Sequence, residues 1–180
     1  MSPRRRLFAR LWRSALGDFA VPILTLCILD FVDDGFSWTT VVRAVAGYPV
    51  AWIVLSLLWA GRRAGSLVRR ARGLGVEATV EILDGTQTHT VTGIPFDRIR
   101  AGLDAARRAS DLTDGNPLDF RWHPYRTRVS VPCSVTYDHT SGEALVEVRT
   151  SGNLESGLFL GTAFTALCRI VRTLEPGSTK

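Results

Sequence analysis

The sequence predicts an α+β protein, in which a two-helix transmembrane hairpin precedes a small antiparallel-sheet domain with two helices on one face. Three observations predict it. Two charge-poor apolar segments lie in the first third of the 180 residues. Arginine clusters bracket that pair of segments on both outer sides. Beyond residue 75 the apolar period alternates between two and 3.6, as strands and amphipathic helices require. The implied ranges are a basic N-terminus at 1–14, the hairpin at 15–61 (helices at about 15–32 and 43–61), a basic juxtamembrane linker at 62–75, the α+β domain at 76–174, and a tail at 175–180.

The second apolar segment is the firmer. Residues 44–61 carry no charge, and eighteen helical residues rise about 27 Å, close to a hydrocarbon core. Tyr48 and Trp59 sit near its ends, where interfacial aromatics belong. Pro49 is tolerable in a spanning helix. The first segment is shorter: only residues 19–29 are free of charge, between Asp18 and Asp30. It spans if both acids reach the interfaces, and otherwise reads as a re-entrant, surface or core helix.

The flanks fix the expected topology. Arg4, Arg5, Arg6, Arg10 and Arg13 precede the pair, and Arg62, Arg63, Arg69, Arg70 and Arg72 follow it. The middle loop carries Asp33 and Asp34 and one nearby base, Arg43. The positive-inside rule then predicts an even number of crossings with both termini cytoplasmic. Asp30 and Arg43 fall near the outer helix ends, where a hairpin brings them within pairing distance. Arg5-Arg6-Leu7-Phe8 resembles the start of a twin-arginine export signal. However, the small-residue motif that resembles a cleavage site, Ala44-Val45-Ala46, lies far past the first apolar run and directly before a better one. The single Lys among 22 basic residues reads as the codon bias of a GC-rich bacterial genome. The expected location is therefore the bacterial inner (cytoplasmic) membrane, as a multi-pass protein.

Charge divides unevenly along the chain. Residues 1–72 hold eleven Arg and four Asp, while residues 73–180 hold eleven bases and thirteen acids. The basic pI belongs to the membrane-proximal part, which removes the case for nucleic acid as a partner, since that footprint would lie on the folded domain. The expected partners are the lipid bilayer and a protein partner or second copy of the chain.

In the domain, Val76, Ala78, Val80 and Ile82 alternate with Glu77, Thr79 and Glu81 up to Asp84-Gly85, a favoured hairpin turn. Thr86–Thr92 then reads as the returning strand. Phe96, Ile99, Leu103 and Ala106 follow at helical spacing after Pro95. Val129, Val131, Cys133, Val135 and Tyr137 form the clearest alternation, with Pro132 implying an edge or a bulge. Residues 138–142 are a turn and Ala144–Thr150 the partner strand. The charge-free run 156–168 opens a last helix through Leu160, Phe164, Leu167, Val171 and Leu174.

No chemistry stands out. His89, His123 and His139 lack metal-ligand spacing, and Cys27, Cys133 and Cys168 fit buried free thiols. No Gly-x-Ser-x-Gly elbow or Gly-rich phosphate loop occurs. The expectation is no enzyme, no cofactor and no metal. One stretch carries a ligand hypothesis: a strand extended backward through Phe120–Arg128 sets Trp122, Arg126 and Arg128 on the face opposite Val129 and Val131. A ring beside guanidinium groups holds a planar anion by stacking and charge; a solvated face is the plainer alternative. The expected function is a membrane-anchored binding or scaffold protein whose residues 74–180 fold alone. The alternative is a pore-forming or membrane-disrupting two-helix effector whose domain senses an anion.

Overall fold

The computed structural model describes residues 2–124, 130–150 and 159–175. Helix α1 covers Pro3–Asp33, with Pro3 at a first-turn position where its missing N–H costs nothing. A short helix α2, Trp38–Val42, is capped by the Ser37 hydroxyl, which accepts from Thr40 N at 3.2 Å. It runs through a π-helical turn, Arg43–Gly47, into α3, Tyr48–Gly73. The π turn precedes Pro49, which has no N–H to give and whose ring crowds the carbonyl four residues back. A wider turn carries the backbone past it. The three segments make one helical rod of 36 residues, about 54 Å long.

Residues 62–75, read from the sequence as a linker, are helical as far as Gly73. Arg70 and Arg72 lie in the last turn, where cations suit the helix dipole.

The domain is built on a five-stranded antiparallel sheet of order β1-β5-β4-β3-β2. The strands are β1 Thr86–Thr92, β2 Ala109–Ser110, β3 Leu118–Trp122, β4 Val131–Asp138 and β5 Glu143–Arg149. Helix α4, Phe96–Asp104, joins β1 to β2, and α5, Thr162–Leu174, follows β5. Register places Val91, Ala144, Val146, Val148, Cys133, Val135, Leu118 and Phe120 on one buried face. The opposite face carries Thr88, Thr90, Glu147, Ser134, Thr136 and Asp119, and is polar. The β4–β5 turn is tied by Asp138, whose carboxylate accepts from Thr140 N at 2.8 Å and from the Ser141 hydroxyl at 2.9 Å.

Helix α5 is buried on nearly every side, from Thr162 through Cys168. This half of the helix sits inside the core, and α5 touches β1, β5, α4, α3 and the turn before β1, while Arg169, Arg172 and Thr173 give its second half a polar side. The core does not stop at the domain. Leu7 and Leu11 of α1 and Ala60, Leu67 and Ala71 of α3 belong to the same buried cluster as Leu83, Phe164 and Leu167. Arg63 adds a polar tie, donating from Nε and Nη2 to the Leu160 carbonyl at 3.2 and 2.9 Å. Gly161 marks the closest approach of helix to domain. Its φ is +75°, and a Cβ there would sit 3.1 Å from Leu67 Cδ1 and 3.3 Å from Leu83 Cδ2. Only glycine meets both conditions.

Three expectations need correction. Residues 76–83 are not a strand: 76–79 lack regular structure and Val80–Leu83 is a 3₁₀ turn. Ile82 and Leu83 are consecutive and both buried, which a two-residue period does not allow. The turn packs them against α1 and α5. β1 therefore has no neighbour before it in sequence and pairs with β5. Second, Pro132 lies in β4, an internal strand, not at an edge. It sits opposite Arg121, one residue before the β4–β5 ladder begins at Cys133–Val148, so its missing N–H breaks no bond of that ladder. Third, β3 is a separate strand, not the backward extension of β4.

Candidate functional site

Most of the exposed large hydrophobic side chains among the described residues lie on the hairpin. Beyond the shared core, α1 and α3 pack on each other. Their outward faces expose Val21, Leu24, Ile28 and Val32 on α1 and Val50, Val54 and Leu58 on α3. Leu24 is 61% and Val50 60% exposed. A contiguous apolar band of this kind marks a surface that meets something other than water. Both helices are long enough and apolar enough to cross a membrane.

Polar groups inside the band are satisfied within the hairpin. Trp12 Nε1 donates to Ser56 Oγ at 3.0 Å, and Trp52 Nε1 donates to the Leu16 carbonyl at 2.8 Å. The Thr25 hydroxyl donates to the Val21 carbonyl at 2.9 Å. Hydrocarbon tolerates polar hydrogens only when they are paired in this way. The two indoles also fix the antiparallel register: Leu16 lies beside Trp52, and Trp12 beside Ser56.

That register has a consequence for thickness. Val54–Leu58 of α3 runs beside the part of α1 that holds Arg10 and Arg13. The uncharged run of α3 is therefore not matched by α1 along its full length. The slab free of charge on both helices lies between Asp18 and Asp30, a rise of about 18 Å. A hydrocarbon core is about 30 Å thick.

At the hairpin's far end, Asp30 and Arg43 do meet. Arg43 Nη1 lies 3.3 Å from Asp30 Oδ2 and 3.1 Å from Asp34 Oδ2. The neighbouring Phe36 and Trp38 are 91% and 79% exposed. Rings of this kind at a helix end suit a headgroup layer.

Of the ligand face expected at Trp122, Arg126 and Arg128, Trp122 alone lies among the described residues. Trp122 pairs with Val131, shares its face, and is buried at 2% exposure. The parity argument assumed one continuous strand, whereas the chain reverses between β3 and β4 and resets the alternation. Trp122 Nε1 has no hydrogen-bond partner among the described residues. Arg126 and Arg128 lie outside the described residues.

Among the described residues, the other reactive groups form no working constellation. Ser110 Oγ lies 3.3 Å from His123 Nε2, but the nearby acid, Asp111, is 3.5 Å from the same hydroxyl. A triad needs the acid behind the imidazole, orienting it. His139 packs against Tyr137 and Phe96, with ring centroids 5.0 and 5.8 Å away. Burial pushes the Cys133 thiol up to about 12 and the Cys168 thiol up to about 11, so neither is a ready nucleophile at neutral pH. No cluster of three or more His, Cys, Asp or Glu with metal-binding geometry occurs among the described residues.

Sequence reading missed the indole ties and the Arg63–Leu160 bond. The latter joins residues 97 positions apart, and no local pattern signals it. No family description, curated protein or solved structure matches the chain.

Proposed function

We propose that this chain is a membrane-anchored binding or scaffold protein. Helix α1 and the α2–α3 rod cross the bacterial inner membrane, both termini face the cytoplasm, and the α+β domain offers its surface to a protein partner. The exposed apolar band on a hairpin with internally paired polar groups carries this reading. Five arginines on each outer flank, against one near the tip, support the orientation. The uncovered sheet face, where Leu145 lies among Thr90, Thr136 and Glu147, is the natural contact for a partner.

Cysteine labelling in spheroplasts tests the topology, aided by the low reactivity of Cys133 and Cys168. An impermeant maleimide is expected to modify a Phe36→Cys variant in intact spheroplasts and a Ser141→Cys variant only after lysis. Labelling of both only after lysis rules out a crossing hairpin, and the reverse pattern inverts the topology.

A second reading is favoured by the 18 Å slab. A hairpin thinner than the bilayer is accommodated by local thinning, by snorkelling or by association of copies. Each of these strains the membrane, as a membrane-disrupting effector would. Overexpression is then expected to raise dye permeability. Permeability equal to that of an empty-vector control excludes the effector reading and leaves the anchor.

A further inference from the structure

The two edges of the sheet differ. β2 forms one edge with two residues, and β1 forms the other with seven. Thr150 N donates to the Gly85 carbonyl at 2.7 Å, which makes Gly85 and Thr150 a hydrogen-bonded pair in the β1–β5 register. Such pairs alternate along an antiparallel ladder. Gln87, His89 and Val91 therefore turn their N–H and C=O groups toward β5. Thr86, Thr88, Thr90 and Thr92 turn theirs outward. All four threonines are exposed, and among the described residues none of these eight outward groups has a partner.

A plainer account is that water satisfies the edge. Edges left to water are ordinarily short, charged, bulged or interrupted by proline. β2 is short in this way. β1 has no Asp, Glu, Lys, Arg or Pro, and its register with β5 runs unbroken over all seven residues. Such an edge accepts another strand. Its sequence, Thr-Gln-Thr-His-Thr-Val-Thr, favours itself as that strand, because the outward residues are symmetric about His89. An antiparallel copy centred there sets Thr86 against Thr92 and Thr88 against Thr90, twice over, and pairs every outward group of both strands. Each of these pairs is threonine against threonine, a favourable cross-strand match, and no like charges meet.

We propose that β1 joins two copies of this chain edge to edge, antiparallel, with a two-fold axis at His89. The interface is isologous, the same seven residues serving on both sides. The two five-stranded sheets become one continuous sheet. The axis stands perpendicular to that sheet, so both polar faces lie on one side and both α5 helices on the other. The pairing needs no membrane. It does need folding: until β5 holds β1 extended, ordering the strand costs backbone entropy that so polar a sequence does not offset.

The test is cysteine cross-linking of the full-length chain in intact cells treated with diamide. A Cys27→Ala background is used, since Cys133 and Cys168 are buried. Position 89 faces its own copy as a non-hydrogen-bonded pair, with Cα atoms about 4.5 Å apart, within disulfide range. Positions 86 and 92 lie about 20 Å from their own copies. His89→Cys is expected to give a covalent dimer, and Thr86→Cys and Thr92→Cys none. Adding Thr88→Lys/Thr90→Lys sets lysine opposite lysine and lowers the dimer yield about tenfold. Thr88→Lys/Thr90→Glu sets each lysine opposite a glutamate and restores the yield. Far-ultraviolet circular dichroism matching wild type confirms that each variant folds. Light scattering of the detergent-solubilised chain needs no cysteine: the wild type is expected to have the mass of two chains and the Lys/Lys variant that of one. No dimer at position 89, equal dimer at 86, 89 and 92, a yield that the lysines leave unchanged, no rescue by Lys/Glu, or a single-chain mass for the wild type overturns the pairing. A His89→Cys adduct with a different protein in place of the dimer overturns it as well, and gives the edge to another partner's strand.

Discussion

Arginine at Leu24 and at Val50 together is expected to strip the protein from membranes. Each side chain points outward from the hairpin within the band. In a bilayer, an arginine at a helix centre costs about 2.5–3.5 kcal/mol on insertion scales, and the lost Leu or Val adds a few tenths. Leu24 lies mid-slab and incurs that cost in full, whereas Val50 lies level with Asp18 at the slab's edge and adds less, so the pair costs roughly 3–4 kcal/mol, enough to weaken insertion about a hundredfold or more. If water bathed these positions, the same changes would be near neutral, within about 0.5 kcal/mol, because exposed substitutions away from packed features rarely do more. Alkaline carbonate extraction separates the two cases. The wild-type chain stays in the pellet and the Leu24→Arg/Val50→Arg variant leaves it. A variant retained as well as wild type would mean that the band faces a protein surface, not lipid.

The second large effect belongs to Gly161. Gly161→Ala is expected to destabilise the chain by about 2–4 kcal/mol, from the left-handed backbone cost and from crowding against Leu67 and Leu83. The two causes separate in a double-mutant cycle. Leu67→Ala alone opens a cavity at a fully buried site and costs about 2–5 kcal/mol. In the Gly161→Ala/Leu67→Ala pair, the crowding share disappears while the backbone share remains, so the sum falls short of additive. Denaturant melts followed by far-ultraviolet circular dichroism provide the readout. Strict additivity would show that helix and domain do not touch there. The same contact revises the expectation that residues 74–180 fold alone. Removing residues 1–73 deletes Leu7, Leu11 and Leu67 from the shared core. Three fully buried leucines contribute roughly 5–9 kcal/mol, comparable to the whole stability of an ordinary domain. That fragment is expected to lack a cooperative melt.

The hairpin and the β4–β5 pair were readable because one local period governs each. An uncharged run of eighteen residues and the alternation Val131, Cys133, Val135, Tyr137 need no knowledge of distant partners. Residues 76–83 misled because Glu77, Thr79 and Glu81 mimic an alternating strand, and only the burial of adjacent Ile82 and Leu83 reveals the 3₁₀ turn. Trp122 misled because side-chain parity does not survive a chain reversal. The continuation of α3 to Gly73 was obscured by Gly65, Gly73 and Gly75, although arginines suit helices well. The approach of Arg69 to Arg172, which line one depression, was invisible for a different reason. Arg69 and Arg172 are more than a hundred positions apart in the sequence, and only the tertiary fold makes them neighbours.

The pairing of β1 with β5 bears on how the chain is made. Thr92 finds its partner at Glu143, roughly fifty residues later, and at about 5–20 residues per second a ribosome takes about 3–10 s to supply it. During that interval β1 is an unpaired strand behind an already synthesised hairpin, the kind of segment that recruits strands from other chains. Its composition, Thr-Gln-Thr-His-Thr-Val-Thr, offers a stray strand one aliphatic side chain and little else. β5 and then α5, both made after β1, bring the apolar surface that β1 lacks. Closure of the core is thereby deferred until α5 has left the ribosome.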